Sequence, residues 1–156
     1  MRVGQVLVMR HAEKPDDAGD PNLSPAGFQR AENLVPYVQE KFGKPSFLFA
    51  AATSAKSRRP LQTIQPLSNA LSVAVDASIG DKDYEQLAVK LLNGQQYEGC
   101  LTVVCWHHEK IRELAHALRA QHGDYPDPWQ DDVFNLILRF DFADGIPKVK
   151  EITEPF

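Results

Sequence analysis

The sequence predicts an α/β fold: a three-layer sandwich in which helices flank a mostly parallel central sheet. Short apolar runs rich in valine alternate along the chain with longer amphipathic stretches, which is typical of parallel strands joined by helices. The 156 residues have the length of one compact domain, and they contain neither an internal repeat nor a linker-like segment. We therefore expect residues 1–156 to form a single domain.

Strands are predicted where the apolar runs are too short to form helices. They are expected at residues 3–9, 47–51, 73–75, 101–106 and 133–142, with a short final strand near Val149. The run at 133–142 alternates between apolar and polar residues, so this strand is expected to be antiparallel and to lie at an edge of the sheet.

The first helix is predicted to begin at Ser24, a residue type that caps helix N-termini, with Pro25 in the first helical position. It is expected to end near Gly43. Three more helices are expected at residues 60–71, 83–93 and 109–121. The last of them has apolar residues at positions 111, 114, 115 and 118, which is the spacing of one buried helix face.

Composition and charge exclude several classes of protein. The 17 basic and 21 acidic residues give a net charge of −4, which argues against binding to nucleic acid or to anionic lipid. No run of about 18 apolar residues is present to cross a membrane, and the charged cluster after the apolar N-terminal run does not resemble a signal-peptide cleavage site. The two cysteines, Cys100 and Cys105, lack CxxC spacing. We expect a cytoplasmic protein in which any affinity for phosphate comes from a local cluster.

Charged side chains and histidines follow three of the predicted strands, at the edge of the sheet where ligands bind in α/β folds. These residues are Arg10-His11, Arg58-Arg59 and His107-His108-Glu109. Arginines offer paired donors that match the oxygens of a phosphate group. Their charge also keeps a neighbouring imidazole unprotonated, and therefore able to attack phosphorus. The pattern predicts a phosphate site that contains a nucleophilic histidine.

The N-terminal strand carries the most specific motif. Val-Leu-Val-Met-Arg10-His11-Ala12 resembles the strand ending in Arg-His-Gly of the histidine phosphatase superfamily, also called the phosphoglycerate mutase-like fold. The resemblance implies that His11 is a nucleophile that forms a phosphohistidine and that Arg10 binds the phosphoryl group. Leu23-Ser24-Pro25-Ala26-Gly27, followed by Ala31, is similar to the family's Leu-Thr-x-x-Gly-x-x-Gln-Ala segment, with Arg30 in the place of the Gln.

A third motif covers residues 57–63 and is similar to the family's Ser-x-x-x-Arg-Ala-x-x-Thr. Counting back four residues from Thr63 selects Arg59 as a second phosphate ligand, whereas counting forward four residues from Ser54 selects Arg58. Both arginines therefore stay candidates for binding the phosphoryl group.

The fourth motif, from Thr102 to His108, resembles the later strand that ends in the family's second active-site histidine. The count from Thr102 favours His108 as the catalytic partner of His11 and leaves His107 to bind phosphate, whereas the distance to Ile111 favours His107. The pair His108-Glu109 is also similar to the His-Asp pair of the acid phosphatase branch, which implies Glu109 as a proton donor. The alternative donors, in the region where other branches keep their acid, are Asp81, Asp83 and Glu85.

Together the motifs imply a metal-independent phosphatase that needs no cofactor and hydrolyses a phosphomonoester or phosphoramidate. Its substrate would be a small phosphorylated molecule or a phosphoprotein. Two alternatives are a metal-dependent hydrolase, whose cation the clustered arginines would repel, and a non-catalytic phosphate- or phosphoprotein-binding module, which would not need a nucleophile. Hydrolysis is favoured over mutase activity because the chain has Ala12 where the family has Gly and lacks the longer insertions of the mutases. The sequence does not indicate the oligomeric state.

Overall fold

The computed structural model describes residues 4–143 and 145–156, which form a six-stranded sheet flanked by four α-helices. The strands are β1 (Gln5–Arg10), β2 (Phe47–Ala50), β3 (Val75–Asp76), β4 (Leu101–Trp106), β5 (Leu136–Asp141) and β6 (Lys148–Thr153). The helices are α1 (Pro25–Lys41), α2 (Arg59–Leu71), α3 (Tyr84–Asn93) and α4 (His108–Ala117). Val3, the first residue of the predicted N-terminal strand, lies outside the described residues.

The strands lie in the order β3-β2-β4-β1-β5-β6. The first four are parallel, and β5 and β6 are antiparallel to their neighbours, so the mostly parallel sheet is confirmed. In the register of the two central strands Arg10 lies opposite Trp106. Because β1 and β4 are adjacent and end at the same edge, the residues that follow them leave the sheet side by side.

Apolar side chains of successive strand residues point to opposite faces of the sheet and form two cores. Val6 and Val8 pack in the cluster that contains the apolar residues of α3 and α4. Leu7 and Met9 belong to the cluster that contains those of α1 and α2. Helices therefore cover both faces, which confirms the predicted three-layer sandwich. No helix within residues 4–143 and 145–156 is long and apolar enough to span a bilayer.

The start of α1 follows the predicted chemistry of a helix N-terminus. Ser24 is the N-cap, its Oγ accepts a hydrogen bond from the Gly27 N–H at 3.1 Å, and Pro25 is the first helical residue. The side-chain oxygen thus satisfies one of the N–H groups that have no partner within the helix.

Two element boundaries differ from the prediction for local reasons. Strand β3 begins at Val75 rather than at residue 73, because Ser72 adopts a left-handed conformation with φ of 56° and the Val73 N–H bonds back to Ser68 O. Helix α4 ends at Ala117 rather than at residue 121, because Arg119 takes a positive φ of 74° and turns the chain.

The prediction for the strand at 133–142 was wrong in two respects. The strand β5 begins at Leu136, and it is not at an edge, because β6 pairs with its outer side. Residues 131–135 instead form a loop, and main-chain carbonyls of this loop contact the end of β1. This loop is therefore part of the wall of the candidate site.

Candidate active site

His11 directly follows β1 and is buried at the edge of the sheet, with 3% of its surface exposed. Its backbone N–H donates to Trp106 O at 3.2 Å, which extends the pairing of β1 with β4 by one residue. The ring Nδ1 lies 2.7 Å from the carbonyl oxygen of Ala12. Because a carbonyl can only accept, Nδ1 carries the ring proton and the lone pair of the neutral imidazole is on Nε2.

The surroundings of His11 keep its ring neutral. Burial, together with the charges of Arg10 and Arg59 and the nearby His107, lowers the pKa of His11 to about 3, although the bond to Ala12 O opposes the shift. Near neutral pH the Nε2 lone pair is therefore free for nucleophilic attack.

Arg10, the last residue of β1, is 2% exposed and is held by the loop at 131–135. One terminal nitrogen donates to Asp131 O at 2.7 Å and to Val133 O at 3.2 Å, and the guanidinium carbon lies 3.9 Å from the centroid of the Phe134 ring. Its Nε and its other terminal nitrogen are buried without a hydrogen-bond partner among residues 4–143 and 145–156. Burial lowers the pKa of Arg10 to about 10, so the group is still charged near neutral pH.

Of the two adjacent arginines, the structure brings Arg59 to the site and leaves Arg58 exposed. Arg59 is the first residue of α2, is 9% exposed, and donates from Nε to Asn22 O at 3.0 Å. Its charge contributes to the lowered pKa of both His11 and His107, which places it within electrostatic range of the two rings.

Thr63 connects the start of α2 to the segment that follows β1. The Ala12 N–H donates to Thr63 Oγ1 at 2.9 Å, and this hydroxyl donates to Arg59 O at 2.8 Å. The threonine of the third motif therefore couples the position of Arg59 to the residue after His11.

The two histidines that follow β4 take different directions. The ring of His107 lies 5.5 Å from that of His11 between centroids, at an angle of 71°. His108 is the first residue of α4, and its Nε2 lies 2.9 Å from Asp131 Oδ1. His107, and not the predicted His108, is therefore the histidine whose ring lies beside that of His11, because α4 begins at His108 and directs this side chain toward Asp131.

The environment of His107 resembles that of His11. Burial, together with the charge of Arg59 and the neighbouring His108, lowers the pKa of His107 to about 4. The ring is neutral near physiological pH and can donate one N–H to a ligand.

An open pocket of about 670 Å³ adjoins His107 and Arg59. Asp81 and the exposed Glu109 both line it. One carboxylate oxygen of Asp81 is buried and has no hydrogen-bond partner in the described part of the chain. Burial raises the pKa of Asp81 to about 6, against the opposing charge of Lys110. Of the other two candidate acids, Asp83 lines this pocket, whereas Glu85 lines two others.

Sequence reasoning missed the residues that hold Arg10, which are Asp131, Val133 and Phe134. These residues lie more than 120 positions from Arg10, so no local spacing connects them. The polar run Gln130-Asp131-Asp132 after two prolines does indicate a loop, and this signal could have shortened the predicted strand.

In the part of the chain that the structure describes, no group of three or more His, Cys, Asp or Glu side chains is arranged to hold a metal ion. Basic groups whose charge acts on the His11 ring are Arg10, Arg59 and His107. Such an arrangement suits an anion.

Comparison with known proteins identifies the fold. No family model matches the chain, and no curated protein matches it. Among solved structures, a protein histidine phosphatase SixA complexed with tungstate is similar with a TM-score of 0.70 and 15% identity, over 96% of this chain and 96% of that chain. A proposed phosphohistidine phosphatase SixA from Agrobacterium tumefaciens has a TM-score of 0.63 and 17% identity, over 96% of this chain and 95% of that chain.

A mycobacterial glucosyl-3-phosphoglycerate phosphatase is similar with a TM-score of 0.62 and 11% identity, over 97% of this chain and 98% of that chain. The likeness in all three comparisons extends over nearly the whole of both chains. Identities this low show a shared fold and leave the chemistry to be argued from the site. The chain therefore has the phosphoglycerate mutase-like fold, the fold of the histidine phosphatase superfamily that its sequence motifs resemble.

Proposed function

We propose that this protein is a phosphatase that hydrolyses a phosphomonoester or a phosphoramidate through a covalent phosphohistidine on His11. The observation that carries the proposal is the geometry of His11: a buried neutral ring whose Nδ1–H is bound to Ala12 O, with Nε2 left free beside Arg10 and Arg59. The shared fold with solved phosphatases supports it.

In the first step Nε2 of His11 attacks phosphorus, and the bond from phosphorus to the leaving oxygen or nitrogen breaks. Arg10, Arg59 and His107 bind the phosphoryl oxygens and stabilise the charge that spreads over them in the transition state. The two buried donors of Arg10 that lack a partner would gain one in these oxygens. The leaving group takes a proton from an acid.

In the second step water attacks the phosphohistidine. The bond between phosphorus and Nε2 breaks, the acid of the first step, now a base, accepts a proton from the water, and inorganic phosphate leaves. The His11 ring returns to its neutral state with the proton still on Nδ1. Two displacements thus replace one difficult hydrolysis.

We assign the proton transfers to Asp81, because its raised pKa of about 6 leaves part of the population protonated near neutral pH. Asp81 also lines the pocket beside His107, where a leaving group would lie. Glu109 is the alternative proton donor, and it is exposed at the same pocket. Replacing each acid in turn separates the two.

The substrate would be a small phosphorylated molecule or a phosphoprotein. The pocket is open and is lined by small polar residues and by charged groups of both signs, so a polar leaving group suits it. The lysines among them are Lys56, Lys82 and Lys110. A panel of sugar phosphates, nucleotides and phosphorylated peptides, phosphohistidine included, would identify the class.

The decisive experiment is rapid quenching after mixing the enzyme with labelled substrate. We expect a label on protein that is stable in base and labile in acid, and that is absent in His11→Ala. His116→Ala is the matched control, because this histidine is exposed on α4 and is outside the pocket beside His107. Activity that is lost with EDTA and restored by a metal would establish the metal-dependent alternative. Binding of tungstate without label or turnover would establish the binding module.

A further inference from the structure

We infer that Arg30 is a positioning residue for His11, because it holds the peptide group whose carbonyl sets the tautomer of the nucleophile. The inference rests on the proposed function, in which the lone pair must be on Nε2. Arg30 lies on α1 at the position where the resembling family has Gln, and it does not line the pocket beside His107.

Arg30 binds two carboxylates in a largely buried cluster. Its Nε lies 2.9 Å and 3.1 Å from the two carboxylate oxygens of Glu13, and one terminal nitrogen lies 2.9 Å from Glu13 Oε2. The other terminal nitrogen donates to Glu154 Oε1 at 2.8 Å and to the carbonyl of Phe156. Only 12% of the Arg30 side chain and 2% of that of Glu154 are exposed.

Hydrogen bonds also hold the main chain of Glu13. Glu13 O accepts from Ser24 N at 2.9 Å and from Ser24 Oγ at 3.2 Å, at the N-terminus of α1. The helix lies so close that a side chain at Gly27 would collide with Glu13 O. Glu13 is therefore held at two points near the start of α1: Arg30 binds its carboxylate, and Ser24, the N-cap, binds its carbonyl.

This double attachment determines the position of the acceptor for His11. The carbonyl of Ala12 and the N–H of Glu13 belong to one planar peptide group, so holding Glu13 in place restricts the rotation of this group and with it the direction of Ala12 O. Ala12 O is the oxygen that lies 2.7 Å from His11 Nδ1. If this oxygen turned away, the ring proton could move to Nε2, which would then have no lone pair for attack.

An arginine suits this position better than the glutamine of the resembling family. The guanidinium has five N–H donors in a fixed plane, and here they bind Glu13 on one side and Glu154 on the other. A glutamine amide has two N–H donors and no charge, so it could not neutralise either carboxylate.

The test measures both catalysis and the tautomer. The variants are Arg30→Gln, Arg30→Lys and Glu13→Gln, and the control is Arg139→Gln, which removes a partly exposed ion pair to Asp141 on β5. We expect Arg30→Gln to lower kcat on an aryl phosphate by about 10- to 100-fold with little change in KM, and Arg30→Lys to recover part of the loss. Nitrogen-15 NMR of His11, identified by comparison with His11→Ala, should show that Nε2 carries a proton in part of the Arg30→Gln population.

A folded Arg30→Gln protein with unchanged kcat and an unprotonated Nε2 would overturn the inference. If that variant does not fold, as judged by circular dichroism and thermal unfolding, Glu13→Gln decides the question by the same two measurements. If the wild type shows no turnover with any phosphate ester, the proposed function fails, and the NMR comparison still determines whether Arg30 controls the tautomer.

Discussion

The molecule contains two buried groups of charged side chains that lie close together but differ in how their hydrogen bonds are satisfied. Around Arg30 one guanidinium binds two carboxylates, Glu13 and Glu154. Around Arg10 the hydrogen bonds of the guanidinium go to main-chain carbonyls, and two of its buried nitrogens have no hydrogen-bond partner among the described residues. The carboxylates of the first group accept the hydrogen bonds of its guanidinium, whereas the second group has a positive charge and N–H donors that lack acceptors.

This difference predicts which substitutions mainly lower the free energy of unfolding and which mainly weaken ligand binding. A buried donor without an acceptor costs free energy, and a folded chain retains one where a ligand supplies the acceptor. A buried charge with a well-placed partner is costly mainly when that partner is removed. Damage to the Arg30 cluster should therefore destabilise the fold in addition to any effect on the position of His11, whereas damage to the Arg10 group should remove activity and ligand binding with less effect on the fold.

The largest expected effect concerns the complete cluster. Arg30→Ala leaves Glu13 and Glu154 without their cation and should lower the free energy of unfolding by about 3–5 kcal/mol. Arg139→Ala removes a partly exposed pair and should cost no more than about 1 kcal/mol. Urea denaturation of both variants checks this prediction. Equal losses would show that the Arg30 cluster is no more important to the fold than a surface pair.

The next effect distinguishes Arg59 from its neighbour Arg58. Arg59→Ala should reduce kcat/KM by about 10²- to 10³-fold, because it removes a donor to the transition state. Arg58→Ala should change it little, because this side chain is exposed. Steady-state kinetics with an aryl phosphate measures both values. A larger loss in Arg58→Ala than in Arg59→Ala would identify Arg58 as the arginine of the motif.

Anion binding should stabilise the folded protein through the unpaired N–H donors of Arg10. Tungstate at about 100 times its Kd should raise the free energy of unfolding of the wild type by about 2.7 kcal/mol. The increase should be lost in Arg10→Met and kept in Arg58→Ala. Thermal unfolding with and without tungstate measures it. An equal increase in Arg10→Met would show that the anion binds elsewhere.

The smallest effect is a pH dependence that tests Asp81. His11 is neutral above a pKa of about 3, and Asp81 is protonated below a pKa of about 6. For an alkyl phosphate, whose leaving group needs a proton, kcat should be highest between these values and fall about tenfold per pH unit above pH 6. An aryl phosphate should show a weaker decline, and Asp81→Asn should remove the difference. If Glu109→Gln removes it instead, Glu109 is the donor.

Much of the architecture could be predicted because it follows from local patterns. The strand at 101–106 and the capped start of α1 agree with the structure residue for residue, since apolar runs and the Ser24-Pro25 pair act over short distances. The last strands were predicted less well. The apolar pattern of residues 133–142 continues from a loop into β5, and hydrophobicity alone does not distinguish the two.

The same distinction between local pattern and tertiary packing applies to the candidate site. The sequence by itself determined that His11 follows a buried strand beside Arg10, because β1 is apolar and its exit is polar. It left the choice between Arg58 and Arg59 open, and it favoured His108 over His107. In the tertiary structure Arg59 is buried whereas Arg58 is exposed, and the ring of His107 rather than that of His108 lies beside His11, because the residue at which each helix begins sets the direction of its first side chains. The tertiary structure also brought Phe134 against Arg10 and joined Arg30 to Glu13 and Glu154, contacts that depend on the packing of elements far apart in the chain.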